Sequence, residues 1–375
     1  MLDITISRGT TVALPKAEFD LLLADLRENG YQTVGPRQQD ESIVYSDVQS
    51  LADLPRGVQT EQQPGHFRLV QGASNNYFDF IPAADSWKKF LFPPRVELFT
   101  VRKGQGWEYV ETETDTPRYA LIGVRGCELA AIEIQDKIFI RPDFYDPTYR
   151  LRREGLFIIA VNCLHPAGTC FCTSMGSGPK VEGSYDLCLT ELDDIFLVEI
   201  GSELGRSLLS KRKYDLPSAF VQNIANQKLA RAVQEMSRSL DTSDLPGLLT
   251  EPETLEAARW DDVAKRCLSC GNCTQVCPTC FCWDATDSVN LTATQASRTR
   301  VWDSCFNPAY SYVFGGNTRP TIRARYRQWL THKFGAWKEQ FGMLGCTGCG
   351  RCLTWCPAKI DHLAEIAALR AEVNP

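Results

Sequence analysis

The sequence predicts two unlike halves: an α/β (or α+β) N-terminal domain, then a mainly α-helical domain folded around two copies of one cysteine motif. Three observations carry this expectation. A strand–turn–helix pattern at 119–139 precedes a continuous apolar run at 156–161, as in a strand buried on both faces of a parallel sheet. Beyond residue 212 the apolar segments read as helices. The motif C-x2-C-x2-C-x3-C-P starts at Cys267 and again at Cys346, with 68 residues between the copies. The expected divisions are 1–212 for the α/β domain, 213–256 for a helical linker and 257–375 for the motif-bearing domain.

In chain order, residues 17–29 have helical spacing at Phe19, Leu22, Leu23 and Leu26, and Gly30 ends the helix. Residues 42–46 form a short strand. The segment SWKKFLFPPR at 86–95 reads as core, or as a docking surface, with Lys88 and Lys89 exposed. A strand follows at 96–102. The run at 119–124 leads through a turn at Arg125, Gly126 and Cys127 into a helix at 128–139. The run at 156–161 is a strand, with Cys163 just beyond it. If these two strands are neighbours, Cys127 and Cys163 share the carboxyl edge of the sheet, where α/β proteins place their sites. Cys170 and Cys172 follow on a loop marked by Gly176, Gly178 and Pro179. DLCLTEL (186–192) is a strand with Cys188 as a packed thiol, and 195–200 is another strand. Helices are expected at 218–240, 254–266, 321–334 and 361–372, with a loop at 242–247.

The cysteines point to chemistry. A cubane cluster offers irons at the corners of a small tetrahedron. Three thiolates spaced by two residues reach three irons as a loop wraps one face. The fourth comes from the other motif, because each last cysteine precedes a proline that turns the chain away. The spacing therefore assigns Cys267, Cys270, Cys273 and Cys356 to one [4Fe–4S] cluster, and Cys346, Cys349, Cys352 and Cys277 to a second. Gly271, Gly345, Gly348 and Gly350 suit close backbone approach to bulky sulfides. Zinc needs only four ligands per ion and leaves the third cysteine and the C-P ending, each present twice, unexplained. Cys127, Cys163, Cys170 and Cys172 admit two readings, a third centre or buried free thiols. Iron–sulfur is the leading metal there and zinc the other. Of the sixteen cysteines, Cys280, Cys282 and Cys305 have no settled role; weak S–H bonds to cluster sulfur are one reading.

Composition excludes several classes. The hydrophobic share is 43% and the net charge −6, which supplies core and gives no basic bias toward nucleic acid. No run approaches the roughly 20 apolar residues that span a bilayer. The opening MLDITISRG has no leader pattern, so a cytoplasmic location is expected. There is no G-x-G-x-x-G behind a strand and no Walker A sequence, and hence no expected NAD or flavin site. The arginines and Lys333 of 319–333 read as a solvated helix face, with compensation of cluster charge or docking of an acidic partner second. No catalytic constellation is visible. The expected role is one-electron relay.

The pieces SWKKFLFPP, GVRGCELAAIE, DPTYRLRR, VNCLHPAGTCFCTSMGSGP, YDLCLTEL, CLSCGNCTQVCPTCFCWD, VWDSCF, HKF and CTGCGRCLTWCP together resemble the beta subunit of soluble cytoplasmic [NiFe] hydrogenases (sulfhydrogenases). The A subunit of anaerobic sulfite reductases shares the layout. The resemblance implies a dicluster ferredoxin domain in an electron-transfer subunit. One partner would be a flavoprotein that binds NAD(P)H. The other would be the [NiFe] small and large subunits or, in the alternative, a sirohaem subunit.

Overall fold

The computed structural model describes residues 6–111 and 117–373. Residues 1–5 of the opening read for a leader lie outside them. Along the chain, β1 (Thr11–Pro15), β2 (Gln32–Gln39) and β3 (Ser42–Asp47) precede a hairpin of β4 (Val58–Gln63) and β5 (His66–Gln71). Next come β6 (Arg95–Lys103), β7 (Trp107–Glu111), β8 (Tyr119–Val124), β9 (Phe157–Val161), β10 (Leu187–Glu191) and β11 (Ile195–Ile200). Two more, β12 (Trp283–Val289) and β13 (Gln295–Trp302), lie between the cysteine motifs.

The N-terminal half is a seven-stranded mixed sheet in the order β1-β11-β10-β9-β8-β2-β3. Its centre, β2, β8, β9 and β10, is parallel, and β1, β11 and β3 add antiparallel edges. All five residues of β9 are buried, as an apolar run without alternation requires. Helix Lys16–Glu28 covers one face, packing Phe19, Leu22, Leu23 and Leu26 into a core with Ile122, Ile159 and Phe196. Helix Gly126–Phe139 covers the other, setting Leu129, Ile132 and Phe139 against Leu121, Ile158 and Trp87. Burial of each such side chain contributes about 1.5–3 kcal/mol. Because β8 and β9 are parallel neighbours, the chain leaves both at the same edge, next to Cys127 and Cys163.

The second half departs from expectation. Its core is helical, with Trp260, Tyr326, Trp329, Leu330, Phe334 and Ile366 packed together. The insert between the motifs, however, contains the β12–β13 hairpin, and β13 pairs antiparallel with β6 of the first half. A four-stranded sheet, β12-β13-β6-β7, thus crosses the expected division. The description "mainly α-helical" is corrected accordingly: this is a mixed α/β chain whose C-terminal part joins helices and a hairpin. The cue lay in Thr, Val and Ser spacing around a turn in which the Asn290 side chain accepts from the N–H groups of Thr294 and Gln295.

Helix ends also differ. The helix expected at 254–266 is interrupted at Ala257 and splits into Pro252–Glu256 and Arg259–Arg266. The helix capped by Ser218 ends at Glu235, and the one capped by Thr321 widens into a π-turn at His332–Ala336. Among the described residues, no helix is long and apolar enough to cross a membrane.

Candidate metal centres

The two cysteine motifs fold alike. In each, a left-handed glycine, Gly271 (φ 77) or Gly350 (φ 74), opens a single helical turn that carries the third cysteine. Two residues after the first cysteine, Ser269 and Gly348 also have positive φ. Their N–H groups point at the first sulfur, Ser269 N to Cys267 Sγ and Gly348 N to Cys346 Sγ, both at 3.4 Å. Ile360 N donates to Cys356 Sγ at 3.3 Å. Donors to sulfur stabilise the thiolate state that a metal requires.

The structure places Cys267, Cys270, Cys273 and Cys356 around one cavity with about 460 Å³ of empty space, walled by Phe306, Tyr326 and Trp329. Cys277, Cys346, Cys349 and Cys352 surround another of about 360 Å³. The first cavity is lined by three cysteines of the first motif and by Cys352 and Cys356 of the second; the other is lined by three of the second motif and by Cys277 of the first. Cys352, Trp329 and His362 line both, so the two cavities are adjacent.

The residues present fit [4Fe–4S] clusters. Among the described residues, Trp329 Nε1, His362 Nε2, Tyr326 OH and Thr347 Oγ1 are buried at these walls without a protein partner, where cluster sulfur is an acceptor. No three His, Cys, Asp or Glu side chains among the described residues meet closely enough to hold a single metal ion. The thiols rim a volume instead, unlike the tight tetrahedron of zinc.

Electrostatics distinguish the two cavities. Burial pushes the Cys346 thiol up to about 12, and Cys273 and Cys352 well above the usual thiol range. Cys277 moves the other way. A hydrogen bond from the Cys280 thiol holds it well below that range, with help from the Lys333 ammonium. Lys333 Nζ lies 3.4 Å from Cys277 Sγ and donates to Thr279 Oγ1 at 2.8 Å and to Gly345 O at 3.2 Å. Burial alone would discharge this lysine; the sulfurs of Cys277, Cys280 and Cys346 outweigh it and keep it charged.

Lys333 is thus not on a solvated face, whereas its arginine neighbours divide. Arg325 is buried and donates to Arg319 O and Pro320 O, while Arg323 and Arg327 pair with Glu256. Lys88, expected exposed, is buried as well. Its ammonium donates to Cys277 O at 3.1 Å and stacks over the Trp302 ring at 3.9 Å. A Cβ on Gly348 would lie 2.6 Å from Phe171 O, and one on Gly350 2.3 Å from Thr169 O. Gly348 and Gly350 thus admit the backbone of residues 169–172.

That loop belongs to the third thiol group. Cys127 sits in the first turn of helix Gly126–Phe139 rather than in the preceding turn. Cys163 lies just past β9, and Cys170 and Cys172 follow on the loop. All four line one cavity of about 430 Å³, which Cys349 of the second motif also touches. Burial raises the Cys127, Cys163 and Cys172 thiols and brings Cys170 to about 12.

A buried ion pair fastens the two halves here. Arg351, between Gly350 and Cys352, donates to Glu128 Oε1 at 2.6 Å and to Ala83 O at 3.0 Å. Their side chains are 3% and 1% exposed. Glu128 also accepts from Tyr45 OH and Trp87 Nε1, both at 3.1 Å. Neither residue stood out in the sequence, since a buried pair has no spacing signature. Cys280, Cys282 and Cys305 line none of these three cavities. The Cys280 thiol bonds Cys277, and Cys305 bonds Cys282.

Comparisons with known proteins agree with this geometry. The family described as 4Fe-4S dicluster domain matches residues 266–360. Sulfhydrogenase 2 subunit beta of Pyrococcus furiosus is 34% identical over 289 residues, which are 76% of this chain and 82% of that protein. No solved structure matches.

Proposed function

Because this chain belongs to the family of sulfhydrogenase beta subunits and is an iron–sulfur electron-transfer subunit with two [4Fe–4S] clusters, we propose that it carries electrons between a flavoprotein that binds NAD(P)H and a [NiFe] hydrogenase module. The complex would work in the cytoplasm. The observation that carries the reading is the pair of adjacent cysteine-lined cavities that share the wall of Cys352, Trp329 and His362. Cys267, Cys270, Cys273 and Cys356 hold one cluster, and Cys346, Cys349, Cys352 and Cys277 hold the other.

A bound [4Fe–4S] cluster supplies reversible one-electron storage. The rest is done by the chain. Trp329, Phe306 and Tyr326 wall the first cavity with aromatic side chains, and Phe171, Phe334 and Trp329 wall the second. His362, buried and held uncharged with its pKa lowered to about 4, stands between them without adding charge. Lys333 places a fixed positive charge at the second cavity only.

That asymmetry is testable. A cation stabilises the more negative, reduced state, so Lys333→Met lowers the potential of the second cluster, by on the order of 100 mV for one charge at short range and intermediate dielectric. Redox titration followed by electron paramagnetic resonance should show one signal shifted and the other unmoved. Equal shifts in both, or none, would remove Lys333 from the tuning role. Partner identity is tested by anaerobic affinity purification from the source cells. The hydrogenase reading expects a nickel-containing large subunit with the chain; a sirohaem subunit in its place selects the sulfite reductase alternative.

A further inference from the structure

We infer that Cys127, Cys163, Cys170 and Cys172 hold a third [4Fe–4S] cluster, which continues the two-cluster wire into the α/β domain. The inference rests on the relay reading and extends it.

Topology makes the site. Parallel pairing of β8 with β9 delivers Cys127 and Cys163 to one edge of the sheet. The loop after Cys163 folds back over that edge and supplies Cys170 and Cys172. The four line one cavity, as the motif cysteines line two others. Cysteine again recurs in the lining, with no carboxylate or imidazole side chain among the lining residues.

A second observation points to an anion there. Arg125, 3% exposed, lines this cavity. Its hydrogen bonds go only to carbonyl oxygens, those of Phe78, Phe80 and Asn162, and its Nε has no partner among the described residues. A buried guanidinium without a carboxylate is costly unless something negative faces it. Four thiolates around a dicationic cubane leave a net dianion, which supplies that charge. Assembly balances as four thiols giving up four protons while the preformed core enters, with no change in oxidation state. Arg351 stands at the same wall, already shared with Glu128.

The alternative of inert core thiols fits poorly. Cys188 shows what that looks like: it is packed among Leu121, Ile158 and Ala160 in the middle of the sheet. The other four enclose a space instead. The four also do not converge on one point, as a single zinc ion would demand.

Position gives the site its meaning. Cys349 lines both this cavity and the second motif cavity, while Cys352 and His362 join the second to the first. The three centres therefore form an unbranched row with the second motif in the middle. The glycines Gly348 and Gly350 permit it, because any Cβ there would collide with residues 169–172.

The test is iron and acid-labile sulfide per chain, together with native mass spectrometry, on full-length protein purified without oxygen. Wild type is expected to hold about twelve irons, and Cys170→Ser about eight, since each cubane has four. A wild-type value of about eight, unchanged by Cys170→Ser, overturns the third site and leaves the dicluster relay intact. About eight irons with one zinc that Cys170→Ser removes also overturns it. A wild-type value of about four or fewer sinks the relay reading itself. Should Cys170→Ser fail to fold, the native mass of the wild-type chain decides between two clusters and three, and Cys163→Ser repeats the comparison.

Discussion

Cys356→Ser is expected to remove the cluster of the first motif, not that of its own. Cys356 follows Cys352 by four residues, yet it lines the cavity of Cys267, Cys270 and Cys273. The proline after it and the bond from Ile360 N turn its sulfur that way. Iron should fall by about four per chain. The identity of the lost cluster is read by adding Lys333→Met. The surviving signal should still respond to that charge, because Lys333 touches Cys277. A survivor indifferent to Lys333 would mean that each motif ligates its own cluster, and the crossed assignment would be wrong.

The second large effect is on stability. Arg351→Met leaves Glu128 buried without its cation, and breaking a buried pair in this way costs about 3–5 kcal/mol. Urea unfolding under anaerobic conditions, followed by visible absorbance and by far-ultraviolet circular dichroism, should show a lower midpoint. The double variant Arg351→Met with Glu128→Gln should recover part of the loss, because the stranded charge is gone and the neutral amide still accepts from Tyr45 and Trp87. A loss under about 1 kcal/mol would rank the pair with ordinary surface bridges and remove it as the clamp between halves.

These predictions show where the sequence was legible. Cysteine spacing suggests the crossed grouping without any fold, and Cys356 and Cys277 each line the cavity of the other motif. The apolar runs at 119–124 and 156–161 were equally plain, because a central parallel strand has no polar face to confuse it. The four thiols of 127–172 could be gathered on paper only by supposing that two strands were neighbours, and β8 and β9 are. Other parts were not legible. Lys88 and Lys333 are buried because sulfurs, carbonyls and a ring from distant segments surround them, and a lysine looks the same in a sequence whether it faces water or thiolate. The π-turn at His332–Ala336 breaks the 3.6-residue period by which Lys333 was placed. The strand β2, QTVGPRQQ, hides behind its Gly-Pro pair; Gly35 is needed because a Cβ would meet Val48 at 2.8 Å. The hairpin of β12 and β13 gives no apolar signal, because its outer strand is exposed throughout.

The central claim is that this chain stores and passes single electrons without performing bond chemistry. Its most direct test is an anaerobic reductive titration of the full-length chain, with dithionite as donor and a one-electron dye as acceptor. The account predicts reversible bleaching of the visible iron–sulfur absorption with one electron per four irons, and no consumption of NAD(P)H by the chain alone. A colourless, zinc-loaded chain that takes up no electrons would contradict it, and so would turnover of NAD(P)H without a partner.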